Sequence, residues 1–424
     1  MARILTPVDA YALINAIADE ALGKDATLTA VNTSSFVSVG ESILHSGTEN
    51  TLNALSLVLG RTFMAVRPYK AKLAIINTLN SGLFTSRMRK ISFYQRNAQA
   101  SGAFNTDDGT GSPLYINHAM GYDNGSNGGA SLASMWEQNQ AVPMEFNFGG
   151  RSVWDYSLTV YENQLQMAFR SEDEFLRFIN GIMVEAGNDI ESQKEAFNRA
   201  TLLNFMAGIY DMNSVAGGAI NLTTEFNAYM GNPSPALTRT DILGPTYFKT
   251  FLEFLVAYIR TLSDQLENRS LKYHWSPTKT IGADTYDIMR HTPKSKQKLL
   301  LYKPLIYSAE AMVMSEIFND QYLQIDNYEG VMFWQNEYDS ASISVTPAIP
   351  DTSDPTQQTV GTAVALDYVV GVLYDEDAMM VDYQMDESFT TPIEARKKYR
   401  NIWWHFSKNA INDFTENGIL LYLG

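Results

Sequence analysis

The chain has no cysteine among its 424 residues. That absence removes disulfide scaffolds, thiolate zinc sites, iron–sulfur ligation and cysteine nucleophiles together, and leaves the chain indifferent to redox compartment. Long apolar runs are missing too. No stretch reaches the 18 or so residues that a membrane-spanning helix needs. The most apolar helical stretch, Phe251 to Leu266, carries Glu253, Arg260 and Asp264. At the N-terminus Asp9 and Asp19 interrupt what would be the apolar core of a signal peptide. Cations are scarce: 31 Lys and Arg against 47 Asp and Glu give a net charge of −16. Such a surface repels phosphate backbones at long range, which excludes a general nucleic-acid binder by charge.

Catalytic signatures are also lacking. The five histidines, His45, His118, His274, His291 and His405, include no pair at i, i+4 and no HExxH. No GxSxG elbow occurs. Ser295 and Lys298 form an S-x-x-K in a basic loop, without the partner motifs of active-site-serine enzymes. Gly109-Thr110-Gly111 hints at a dinucleotide turn, but no third glycine follows and there is no Walker A sequence. Asp375, Glu376, Asp377, Asp382, Asp386 and Glu387 fall within thirteen residues. Paired carboxylates could serve a glycosidase or hold calcium. These are spread over a strand end and a loop with no fixed ligand spacing, which describes a solvated acidic rim. The sequence assigns no catalytic, cofactor-binding or metal-ligating residue, and the chain reads as a non-enzyme.

What is present is apolar and aromatic. The 45% hydrophobic and 18% charged fractions exclude intrinsic disorder, and the length suits two or three domains. Residues 7–22 read as a helix, with Thr6 as N-cap, Pro7 in the first turn and Gly23 as stop. Residues 24–47 look extended and Ser/Thr-rich. A helix is predicted from Glu49 to Leu59 and a strand from Thr62 to Pro68. Residues 97–150 contain no Lys or Arg, with seven glycines between Gly102 and Gly129. A stretch of that composition reads as a long loop. Its flanks, Lys90 to Arg96 and Ser152 to Phe169, are β-rich, so a long β-hairpin arm is predicted, its tip ordering only on contact with a neighbour.

Ser171-Glu172-Asp173-Glu174 then forms a capping box, and apolar residues recur at three- and four-residue steps to about Tyr210. The predicted helix is roughly 60 Å long. After a Gly/Asn/Pro-rich segment from Asn213 to Pro235, a second amphipathic helix spans about Thr246 to Glu267. The remainder reads as mixed α/β. Strands are predicted at Lys298–Ser308, Tyr322–Ile325, Val331–Trp334, Val364–Tyr374, Asn401–Phe406 and Ile419–Leu423. A short helix is predicted at Ala309–Asn319 and a loop at 347–358.

Several residues suit contacts between subunits. Arg396-Lys397-Lys398-Tyr399-Arg400 is the densest basic run and follows the acidic cluster, a pattern that fixes register between surfaces. Arg87, Arg89 and Lys90 open the arm. Met135 and Trp136 sit near its tip and Trp154 on its far flank, where an exposed indole calls for a partner surface. The arm and the long helix cannot bury their own surfaces, so the chain makes sense when neighbours cover them.

The order of these elements resembles a tailed-bacteriophage major capsid protein of the Hong Kong 97-type fold, most similar to those of small short-tailed phages. The local resemblance lies in Val39-Gly40-Glu41-Ser42-Ile43-Leu44 followed by Thr51 to Pro68, in the helix from Glu174 to Tyr210, and in the run from Tyr368 to Tyr422. The resemblance implies an α+β fold and a map. Residues 1–50 would be the N-terminal arm, 51–84 the first part of the peripheral domain, and 85–169 the extended loop. Residues 170–274 would carry the peripheral domain with its spine helix at 171–210, 275–395 the axial domain, and 396–424 the closing strands of the peripheral domain.

It also implies a function. The chain would self-assemble as hexamers and pentamers into an icosahedral shell around double-stranded DNA, in the host bacterial cytoplasm, and become part of the virion. An acidic shell would not stick to its contents. Implied partners are copies of itself, a portal protein, a separate scaffolding protein, packaged DNA without sequence specificity, and minor or decoration capsid proteins, with no membrane and no cofactor. Two alternatives stay open at this point: an encapsulin-like nanocompartment shell, and a carbohydrate-active protein using the carboxylates near Asp382.

Overall fold

The computed structural model describes residues 7–22, 29–45, 54, 76–79, 87–94, 142–149, 152–281, 284–311, 327–351 and 357–424. In chain order these form α1 (Pro7–Leu22), α2 (Thr33–His45), β1 (Asn77–Leu79), β2 (Arg87–Phe93), β3 (Pro143–Gly149), β4 (Ser152–Tyr161), α3 (Glu162–Ala168) and α4 (Glu172–Asp211). Then come α5 (Asn213–Ala216), β5 (Ala219–Asn221), α6 (Leu222–Tyr229), α7 (Arg239–Ile242), α8 (Phe248–Glu267), β6 (Lys279–Ile281), β7 (Asp284–Tyr286), β8 (Gln297–Tyr302) and α9 (Lys303–Ala311). The rest is β9 (Asn327–Val331), β10 (Ile343–Val345), β11 (Ala348–Pro350), β12 (Gln358–Val360), β13 (Val364–Leu366), β14 (Val369–Asp375), β15 (Met379–Thr390), β16 (Tyr399–Asn412) and β17 (Gly418–Tyr422).

A small core gathers the N-terminal helices. Ala10, Ile14, Ile17 and Ala18 of α1 recur on one face and are buried. Residues 33–45, predicted extended, are the helix α2. The reason lies in Phe36, Val39, Gly40 and Ile43, which recur at helical spacing and are buried. The serines do not disrupt it, because they bond back into the helix: Ser38 Oγ donates to the Ser34 carbonyl at 3.1 Å and Ser42 Oγ to that of Ser38 at 2.9 Å. Gly40 permits close approach, since a Cβ there would lie 3.1 Å from the Cβ of Phe169. Apart from Ala54, the predicted helix at 49–59 and strand at 62–68 lie outside the described residues. So do the predicted strand Tyr322–Ile325 and the segment 97–141.

Against these helices lies a four-stranded sheet in the order β1-β15-β16-β4. Ile402, Trp404 and Val160 point into the small core with Phe169, Phe175 and Leu176. The 40-residue α4 then leaves this core. Ser171 caps it, its Oγ accepting from Glu174 N at 3.2 Å. At 1.5 Å per residue α4 is about 60 Å long. Its far end, from Leu202 to Met212, is buried in the larger core.

The larger core is built on a five-stranded sheet in the order β5-β17-β14-β8-β9. β14 and β8 are buried at every position, as the apolar runs Val369–Tyr374 and Leu299–Tyr302 suit, with Gln297, Lys298 and Asp375 buried at their ends. On α8, Phe251, Leu252, Leu255, Ile259, Leu262 and Leu266 form the buried face. The segment predicted as one strand at 298–308 ends at Tyr302 and turns into α9, because Pro304 fits a helix's first turn and not a central strand. The apolar run 364–374 is two strands, β13 and β14, and the strand predicted at 331–334 is β9, four residues earlier. The predicted loop at 347–358 contains β11, which pairs with β12.

The arm is a hairpin, but with a different partner. β2 pairs antiparallel with β3, from Arg87 opposite Gly149 to Phe93 opposite Pro143. Residues 152–161, predicted as the second flank, pair with β16 instead. Met144, Phe146 and Phe148 alternate along β3 and put one hairpin face on the larger core, with Phe146 6.4 Å from Trp275.

Candidate assembly surfaces

The hairpin root is tied down by charge. Lys90 Nζ contacts the carboxylate of Asp413, lies 2.5 Å from Glu416 Oε1, and donates to Thr415 Oγ1 at 3.3 Å. Arg290 completes the junction, donating to Ser92 Oγ at 2.8 Å and to the Thr415 carbonyl at 3.0 Å, with Glu416 at 3.5 Å. The turn itself is internally braced, Asp413 Oδ1 accepting from Thr415 N at 2.9 Å and from its Oγ1 at 2.6 Å. Burial pushes the Glu416 carboxyl above the usual range, while the Lys90 and Arg290 charges pull it down. Sequence reasoning singled out Lys90 but missed Arg290, Asp413 and Glu416. Charged residues that far apart give no local spacing signal.

The opposite hairpin face is open. Ile91 and Phe93 are exposed large apolar residues, and Pro143 and Glu145 beside them are exposed. Arg87 and Arg89 stand on β2, so the strand carries three cations in four residues. Met135 and Trp136 lie outside the described residues.

The basic run divides. Arg396, Lys397 and Lys398 are exposed at the turn between β15 and β16, with Lys398 Nζ 3.3 Å from Glu162. Lys398 has φ 51°. Arg400 is buried, its Nε donating to the Thr391 carbonyl at 2.5 Å. Trp154 is half exposed on β4, its Nε1 donating to Ser152 Oγ at 2.8 Å. The ammonium of buried Lys408 sits 4.0 Å from the Trp154 ring centroid and 5.7 Å from that of Phe197. Burial, and then the Lys194 charge, hold Lys408 below the usual lysine range.

The four described side chains of the acidic cluster, Asp375, Glu376, Asp377 and Asp382, do not converge. Asp375 turns inward to Thr292 Oγ1 at 2.7 Å, and burial raises its carboxyl above the usual range. Glu376 and Asp377 share Lys296, at 3.1 and 3.2 Å. Asp382 is buried on β15, opposite Asn409. Lys298 is buried on β8, where burial lowers it. Buried His274 lies between carbonyls, 2.7 Å from that of Ile288 and 3.3 Å from that of Lys272. Among the described residues no group of histidines and carboxylates could hold a metal ion, and no helix is long and apolar enough to cross a membrane.

Among the described residues the hairpin root is clamped and strand faces stand open. The sequence model of the Phi29-like phage major capsid protein family matches residues 135–422. The chain belongs to that family. It is a phage major capsid protein, a component of the virion, and not an enzyme. The family gives no support to the encapsulin-like or carbohydrate-active readings. No curated protein matches the chain. Among solved structures, the capsid of Staphylococcus phage Andhra is similar at 10% identity, covering 84% of each chain, with a TM-score of 0.49. A structure of the head fiber and inner core protein of native bacteriophage P68 is similar at 11% identity, covering 81% of this chain and 83% of the other, with a TM-score of 0.47. The procapsid of satellite phage P4, which includes a size determination protein, is similar at 11% identity over 87% and 90%, with a TM-score of 0.32.

Proposed function

We propose that this capsid protein adopts the Hong Kong 97-type arrangement and closes, as hexamers and pentamers, into the icosahedral shell of a short-tailed phage around double-stranded DNA. The family match over residues 135–422 carries the reading. The hairpin, the 40-residue helix and the net charge of −16 support it: they supply reach, stiffness and a wall that does not adhere to DNA. In this reading 1–50 is the N-terminal arm, 85–169 the extended loop, 275–395 the axial domain, and the remainder the peripheral domain. Lys90 sets the root of the loop. Arg87, Arg89, Met135, Trp136, Trp154, Arg396, Lys397 and Lys398 face neighbouring subunits, and Arg400 holds the β15–β16 turn from within. Assembly takes place in the host cytoplasm with a separate scaffolding protein and a portal protein, and decoration proteins join later.

Electron microscopy of the protein co-expressed with its genomic neighbours tests this. Closed shells with five- and six-fold faces are the expected result. A monodisperse monomer with scaffold present would overturn it.

A further inference from the structure

An antiparallel sheet packed on one side normally turns polar side chains outward on the other. The β15–β16–β4 sheet adds a row of aromatic rings to them. Its inner face carries Ile402, Trp404 and Val160 into the small core. The alternate residues of β16 (Tyr399, Asn401, Trp403 and His405) face outward and stand opposite Tyr161, Thr159, Ser157 and Asp155 of β4. Phe389 of β15 stands opposite Trp403. The row is coherent: Tyr161 and Tyr399 lie 5.7 Å apart between ring centroids, Asn401 Oδ1 accepts from Thr159 Oγ1 at 2.7 Å, and Phe389 meets the His405 ring edge-on at 5.6 Å. Phe389 is 53% exposed and Tyr161 43%.

We propose that this open aromatic face is a two-fold contact between two copies of the chain, an inference that rests on the shell reading. The occupant follows from the ends of the face. Beyond Tyr399 lies the turn with exposed Arg396 and Lys397, and at the His405 end lies exposed Asp155. The two ends are separated by six residues of strand, about 20 Å. A two-fold axis crossing the strands near Trp403 lays the basic end of one copy over the acidic end of the other. It also stacks Phe389, Trp403 and Tyr161 at the centre, where aromatic anchors contribute most. A face that is cationic at one end, anionic at the other and aromatic between them is complementary to itself.

The test uses the full chain under conditions where it assembles. Tyr161→Lys with Phe389→Lys is expected to leave the thermal melt of the unassembled subunit unchanged and to lower shell yield about tenfold or more. Tyr338→Lys, at a residue 99% exposed elsewhere, is expected to leave yield unchanged. Asp155→Lys alone, and Arg396→Glu with Lys397→Glu alone, are each expected to impair assembly, and the three changes combined to restore it. Ser157→Cys, the sole thiol in the chain, is expected to join two copies through a bis-maleimide of about 10 Å span, the spacing of face-packed sheets. Shells at full yield from the double lysine variant, or no recovery in the charge-swapped one, would overturn the contact. If the unaltered chain closes no shells the shell reading fails, and the Ser157→Cys cross-link still decides whether the contact exists.

Discussion

The ammonium of Lys90 meets the carboxylate of Asp413 across 323 positions of sequence. The contact joins the hairpin to the turn that links the two main sheets. Asp413 is buried and Lys90 keeps a quarter of its side chain in water. Lys90→Met leaves the Asp413 carboxylate without its cation. The expected cost is about 2 kcal/mol, less than for a fully buried pair because part of Lys90 is solvated. Denaturant unfolding of the subunit measures it, and hydrogen exchange is expected to rise in 87–94 and 142–149 before the rest.

Gly371 sits in β14, the middle strand of the larger sheet. A Cβ there would lie 2.5 Å from Leu301 Cδ2 and 2.6 Å from the Leu300 carbonyl oxygen, a backbone atom that cannot swing away. Gly371→Ala is expected to destabilise the subunit by about 2–3 kcal/mol through overpacking. A drop in the midpoint of urea unfolding, with unchanged slope, is the signature to look for.

Burial holds His274 below the ordinary histidine range. The folded chain keeps the ring neutral while the unfolded chain takes up a proton below about pH 6.5. Stability contributed by this site is therefore intact above that pH and declines as pH falls from there toward the lowered folded value. Thermal melts from pH 7.5 to 5 are expected to show a slope that His274→Gln reduces, since the Gln carboxamide keeps a donor for the Ile288 carbonyl without titrating.

Ser171 satisfies one orphan amide at the start of α4, where Glu172, Asp173 and Glu174 complement the helix dipole. Ser171→Ala is expected to cost about 1 kcal/mol, and Ser171→Asp to restore it. Differential scanning calorimetry on the unassembled subunit distinguishes the two.

Helices with local signals were legible in the sequence. α4 has its cap and its period, α1 its proline start, and α8 an unbroken apolar stripe, so each was predicted to within a few residues. Pairings between distant segments were not. Nothing in Pro143–Gly149 announces β2 as its partner, and the stronger β pattern at Ser152–Tyr161 drew the prediction there, although its true neighbour is β16. α2 was missed because its serines resemble those of an extended segment and masked the helical spacing of Phe36, Val39 and Ile43. The basic run was conspicuous in the sequence, yet its division into an exposed turn and a buried Arg400 depends on strand alternation. The joining of Lys90 to Arg290, Asp413 and Glu416 left no local trace, although Lys90 itself stood out.

The position of β17 carries a consequence for synthesis. It lies between β5 and β14, so the middle of the larger sheet lacks one of its strands until residue 422 has left the ribosome. Until then the exposed edge of β14 and the flank of α4 that packs on β17 have no cover, and the nascent chain cannot finish its fold. A chain that joins copies of itself thus cannot present its complete native surface until residues 418–422 have been made.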